Sequence, residues 1–168
     1  MTPTRGHSGV LRRGEAAFPC ALGRSGVCGD KREGDGATPL GEFPLRRVLY
    51  RADKISKPET ALPVSPLDAA DGWCDDPGDA LYNCQVRLPH PGHCETLWRE
   101  DGVYDLIVVL GHNDDPVVTG MGSAIFLHVA KPDLAATEGC VALTLPDLLE
   151  VLRAARPGDK ICVERAKP

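Results

Sequence analysis

The chain has 168 residues, 42% of them hydrophobic and 26% charged, enough for one domain with a sizeable core and the usual balance of a globular protein. Its formal charge of −5 argues against nucleic-acid binding, which a basic face would signal, and no run approaches the ~20 apolar residues of a membrane span. Aromatic residues are only 5%, so the core must rest on Leu, Val, Ile and Ala.

The N-terminal stretch "MTPTRGHSGVLRRGEAAF" lacks the continuous apolar segment of a secretory signal. Seven cysteines, at positions 20, 28, 74, 84, 94, 140 and 162, are odd in number and irregular in spacing, a pattern of mostly free thiols rather than a stapled secreted scaffold. The expected location is therefore cytoplasmic, or periplasmic if the start is misassigned.

Residues 15–22, "EAAFPCAL", read as a strand ending in the turn "GRSG". The glycines of "DKREGDG" (30–36) are spaced like a phosphate loop, but GK[ST] and a following helix are missing, so no nucleotide site is expected. "EFPLRRVLYR" (42–51) is strand-like. From 52 to 100 prolines interrupt any period, which predicts long loops carrying one or two short strands.

Within that region, "GWCDDPGDALYNCQVRLPHPGHC" (72–94) concentrates Cys, His and Asp. A zinc site from Cys84, His90, His93 and Cys94 is one reading, but the spacing matches no standard closed site. Another is a loop over an active site, with Trp73, Asp75, Asp76, Tyr82 and Asn83 contacting a polar peptide. A solvated acidic loop with Trp73 packed beneath it is the third.

"YDLIVVL" (104–110) is a continuous apolar, β-branched run and predicts a buried strand. In the following "GHNDDP", Asp114 and Asp115 suit a turn, whereas His112 and Asn113 either share that turn or line a groove. "SAIFLHVA" (123–130) predicts a second strand, with Ala124, Phe126, His128 and Ala130 on one face. On a regular strand Ser123 would point away from His128. "TLPDLLEVLRAARPG" is the one strong helix, capped by Thr144, carrying an apolar stripe of Leu145, Leu148, Leu149, Leu152 and Ala155, and stopped by Pro157 and Gly158. "KICVE" (160–164) returns as a strand. No repeat or linker divides the chain, so a single domain with its core at about 15–164 is expected.

The chemistry concentrates in "HVAKPDLAATEGC", 128–140. A nucleophilic cysteine needs a thiolate, a base and oxyanion donors. Gly139 lets the backbone turn sharply before Cys140, and His128 sits on a rigid strand end twelve positions earlier. The nearby helix start at Thr144 would add a favourable field. The same residues also fit a buried thiol and a hydrogen-bonded core histidine. The residues alone leave both readings open.

"HVAKPDLAATEGCVAL", together with the upstream "DGATPLGEF", resembles the L,D-transpeptidase catalytic domain family of YkuD type. Thr38, Pro39, Gly41 and Phe43 match that family's Thr-Pro-x-Gly-x-Phe segment, and His128, Thr137, Gly139 and Cys140 match its catalytic segment. Three features depart from the pattern. Glu138 stands where a second histidine is usual, Ala142 where Arg or Asn is common, and the His-to-Cys loop is short.

The resemblance implies a mainly β, sandwich-like fold with one helix after the Cys loop. It also implies a cysteine enzyme that needs no metal or organic cofactor. Cys140 would attack the amide before the terminal D-Ala of a peptidoglycan stem tetrapeptide or muropeptide and form a thioester. His128 would move the protons, and the N–H groups of Gly139 and Cys140 would hold the oxyanion. Thr137, Glu138, His112, Asn113, Trp73, Tyr82 and Asn83 are the candidate substrate contacts. Water as second nucleophile makes an L,D-carboxypeptidase of muropeptide recycling, which the expected cytoplasmic location favours; an amine makes an L,D-transpeptidase. A non-catalytic module binding wall fragments or zinc is the rival from another class.

Overall fold

The computed structural model describes residues 2–165, with side chains from residue 6 onward. Strands β1 (Thr2–Arg5), β2 (Ser8–Arg13) and β3 (Ala16–Ala21) form an antiparallel meander, which leads to the short parallel pair β4 (Val27–Cys28) and β5 (Thr38–Pro39). The long β6 (Gly41–Tyr50) follows, then β7 (Val64–Pro66), β8 (Asp71–Cys74), β9 (Gln85–Arg87) and β10 (Cys94–Thr96). The C-terminal third supplies β11 (Leu106–Leu110), β12 (Phe126–Val129), β13 (Val141–Leu143), the helix α1 (Leu145–Ala154) and β14 (Lys160–Val163).

Among the described residues the architecture is mainly β with a single α-helix, consistent with a β-sandwich. The principal sheet runs β1-β2-β3-β13-β12-β11-β6-β14, with β7 added beside β6, and a separate three-stranded sheet runs β10-β8-β9. Alternation in the central strands gives the principal sheet two apolar faces. On one, Val48, Leu106, Val108, Leu110, Leu127, Val141 and Leu143 meet Leu148, Val151 and Leu152 of α1. On the other, Leu49, Ile107, Val109 and Phe126 meet Trp73, Leu97 and Tyr104. Burying such side chains contributes roughly 1.5–3 kcal/mol each before chain entropy is set against it.

The helix starts where its residues direct. Thr144 Oγ1 accepts the N–H of Asp147 at 3.3 Å, and proline occupies the first turn, where it costs no hydrogen bond. Residues 52–100 are more ordered than loops with one or two strands. They hold four short strands, three of which pair only with one another. Among the described residues no helix is long and apolar enough to cross a membrane.

Candidate active site

Strands β12 and β13 run parallel with His128 beside Ala142 and Leu127 beside Val141. That register brings Cys140, one residue before β13, beside Phe126 and onto the face that carries His128. The Phe126 N–H donates to Cys140 Sγ at 3.4 Å, and the thiol donates to the Ala124 carbonyl at 3.1 Å. Cys140 and His128 are 8% and 7% exposed, and both line one cavity of about 450 Å³.

The turn into Cys140 is built by the upstream Thr-Pro segment. Thr38 Oγ1 accepts the Gly23 N–H at 2.8 Å and donates to the Cys140 carbonyl at 3.4 Å. Thr137 Oγ1 donates to that same carbonyl at 2.7 Å and accepts the Gly139 N–H at 3.2 Å. Gly139 has φ 140°, and a Cβ there would lie 2.9 Å from the Ala37 carbonyl oxygen. The two matching segments of the sequence are therefore one structural unit. Replacing Gly139 by Ala is expected to strain the turn by about 1–3 kcal/mol and displace Cys140. Urea unfolding checks the first effect, and the alkylation rate of Cys140 the second.

Both titratable groups rest neutral. Burial pushes the Cys140 thiol up to about 12, with the negative charge of Glu95 adding to the rise. Burial pulls His128 down to about 4. His128 Nδ1 lies 2.8 Å from the Val129 carbonyl. A carbonyl only accepts, so Nδ1 carries the proton and Nε2 is left bare as a base. The Tyr104 ring packs edge-on against His128 at 5.3 Å between centroids, and its hydroxyl donates to Glu95 Oε1 at 2.7 Å. Arg99 stacks over Tyr104 at 5.3 Å, so the imidazole is held on its ring side as well as at Nδ1.

The residues named from the sequence divide in two. Asp75, His128, Thr137, Glu138 and Cys140 line the cavity. Trp73, Tyr82, Asn83, His112 and Asn113 are not in its lining, because packing draws them behind the wall. Trp73 is buried against Phe126, its ring 4.9 Å away, and donates from Nε1 to Asn83 Oδ1 at 3.0 Å. Asn83 Oδ1 also accepts the Ala124 N–H at 3.1 Å. Tyr82 donates to Glu33, and Glu33 is in the lining. His112 packs on Phe43, with Nε2 3.0 Å from the Met121 carbonyl, and Asn113 closes the turn onto Val118 and Gly122. These five support the lining rather than form it.

Three further expectations are corrected. Ser123 lines the cavity with His128 instead of pointing away, because β12 begins only at Phe126 and Ala124 is left-handed at φ 52°. The N-terminus of α1 adds little field at Cys140. The three residues of β13 separate them, roughly 10 Å at ~3.3 Å per residue, beyond the first turn over which a helix dipole acts. Finally, the Gly139 N–H, expected to hold an oxyanion, is turned onto Thr137 Oγ1 at 3.2 Å instead.

Glu138 pairs with Arg24, Nε to Oε2 2.8 Å, with both side chains more than half exposed. The pair arises because residues 22–24 bridge to Thr137. An exposed pair of this kind contributes ~0–1 kcal/mol, so it leaves Glu138 available to a ligand. The sequence did not single out Lys31, Glu33, Glu95, Arg99, Tyr104 and Lys131, which also line it. Lys31 is buried and ion-paired with Asp35, whereas the Lys131 side chain has no hydrogen bond or ion pair among the described residues. The only sequence signal of the five charged residues was charge, and that of Tyr104 its place at the start of an apolar run.

A cavity holding a thiol, a bare imidazole nitrogen, three cations and four acids suits nucleophilic attack on an amide within a peptide bearing charges of both signs. The family model described as YkuD: L,D-transpeptidase catalytic domain matches residues 6–163. Neither a curated protein nor a solved structure matches the chain.

Proposed function

Because the chain belongs to the L,D-transpeptidase catalytic domain family of YkuD type, we propose that it is an L,D-carboxypeptidase removing the terminal D-Ala from soluble stem tetrapeptides. The family acts on peptidoglycan stem peptides through a cysteine. The observation that carries the reading is that Cys140 and His128 line one charged cavity of about 450 Å³, a volume within the usual range for one small ligand.

The reaction follows from the protonation states. A substrate entering the cavity displaces the thiol from Ala124, and the proton passes to His128 Nε2 as sulfur attacks the carbonyl before D-Ala. The resulting oxyanion is held by the Cys140 N–H. His128 Nε2–H protonates the amine as the C–N bond breaks, and D-Ala leaves. Water then attacks the thioester, giving its proton to Nε2. Collapse releases the tripeptide, and the proton returns to sulfur. The Nδ1–H bond to Val129 keeps the imidazole in the required tautomer throughout.

Lys131 is assigned the substrate carboxylate, and Glu138 the ammonium of the diamino acid. In the family's pattern a histidine stands at 138; a carboxylate offers a cation a partner instead. Water is taken as the second nucleophile because a cavity of about 450 Å³ is sized for one small ligand. Incubation with a muropeptide tetrapeptide, with and without added D-amino acid, is expected to give tripeptide alone by mass spectrometry. An exchanged or cross-linked product would establish the transpeptidase instead, and an unchanged substrate would refute both.

A further inference from the structure

The face of the β10-β8-β9 sheet turned away from the cavity carries a second chemical cluster. In the β8–β10 pair Trp73 lies opposite Glu95, and Cys74 opposite Cys94. Side chains alternate along a strand. Trp73 and Glu95 face inward, onto Phe126 and Tyr104, so Cys74 and Cys94 share the outer face. His90, in the connection after β9, folds over them. One donor atom from each of Cys74, His90 and Cys94 lies within 4.8 Å of the other two.

Several features suit a cation there. His90 Nε2 is 2.9 Å from Asp79 Oδ2, so ligation through Nδ1 would leave the ring braced by that carboxylate. A carboxylate on the distal nitrogen is the usual support of a metal-bound histidine. Asp76 and Asp79 crowd the turn before Cys94 so closely that a Cβ on Gly92 would lie 2.8 Å from Asp79 Oδ2 and 3.2 Å from Asp76 Oδ2. Cys74 is buried and Cys94 half-buried, so thiolates formed there need a compensating charge. The set differs from the one that the sequence spacing suggested. Cys74 replaces Cys84, and His93 turns away to pair with Asp75, Nδ1 to Oδ1 2.5 Å.

We propose that Cys74, His90 and Cys94 bind one zinc ion, with Asp79 orienting His90 and water completing a tetrahedron. Two thiolates and an imidazole suit zinc in charge and softness. The ion joins β8, β10 and the segment between them, the pieces that bring Asp75, His93 and Glu95 to the cavity wall. Binding itself does not depend on the reaction proposed above.

The test uses the full chain, reduced, loaded with zinc and freed of excess by gel filtration. One zinc per chain is expected by elemental analysis. Cys74 and Cys94 should resist alkylation until a chelator is added, and cobalt in place of zinc should give a thiolate-to-metal charge-transfer band. Asp79→Asn is expected to weaken zinc binding ~10–100-fold, Cys74→Ser with Cys94→Ser to abolish it, and Cys140→Ala to leave it intact. The proposal is overturned if the reduced wild type retains no zinc, or if the Cys74/Cys94 double variant binds it as well as wild type does. Failure here leaves the tetrapeptide assay untouched, and failure of that assay leaves the zinc measurement untouched.

Discussion

Cys140→Ala is expected to lower release of D-Ala from a stem tetrapeptide by at least ~10⁴-fold, the scale of removing the nucleophile from a covalent catalyst. The protein should stay folded. The substitution removes one sulfur atom from a buried position and two weak hydrogen bonds, to Ala124 and from Phe126, a cost of about 1–3 kcal/mol against typical domain stability. Chromatography of products measures the first effect, and thermal unfolding the second. Intact-mass spectra of wild type mixed with substrate should show a stem-tripeptide adduct on Cys140 that the variant lacks. Unchanged turnover in the variant would remove the basis of the mechanism.

The size of that effect reflects how completely the site is organised around one sulfur atom. Thr38 and Thr137 both donate to the Cys140 carbonyl, Ala37 crowds Gly139, and Ala124 and Phe126 hold the thiol. These contacts come from β5, the β12–β13 connection and the start of β12. Thr38, Ala37 and Phe126 are not in the cavity lining, yet with Thr137 and Ala124 they fix where Sγ lies. A motif residue such as Thr38 therefore matters through the backbone of Cys140. Variants of it should lose kcat by misplacing the nucleophile.

The legible parts of the sequence were those with strong local signals. β11 is a five-residue apolar run, and α1 has its cap, period and stop; β6 and β14 likewise read as strands. The β8–β10 sheet was hidden because strands of three or four residues, separated by proline-containing turns, carry too little alternation to register. β2 escaped notice for a related reason. Its pattern "SGVLRR" buries only Val10's neighbours Gly9 and Leu11, which looks like a polar tail. In the site, Cys140 and His128 came with a motif, while Glu95, Arg99 and Tyr104 come from segments that only the tertiary fold brings beside them. Ser123 was misplaced by assuming a regular strand where a left-handed alanine reverses the alternation.

His128→Gln should lower turnover ~10²–10⁴-fold, the usual contribution of a positioned acid–base group, and it should also change how stability depends on pH. Buried His128 has its pKa lowered from 6.5 to about 4. Below pH 6.5 the unfolded chain binds a proton that the folded chain refuses until about pH 4. The contribution of the neutral ring is therefore complete above pH 6.5 and is lost progressively as pH falls toward 4. The loss approaches about 3 kcal/mol. Glutamine has no proton to bind, so wild type should lose about that much more stability than the variant between pH 7 and 4, measured by urea unfolding. Tyr104 packs on His128, and the charges of Arg99, Asp101 and Lys131 act on it; all are common to both proteins, so the difference isolates the imidazole. The same lowering keeps the base unprotonated through mild acid. The kcat/KM of wild type should accordingly show no fall with an apparent pKa near 6.5, and such a fall would place His128 in water rather than against Tyr104.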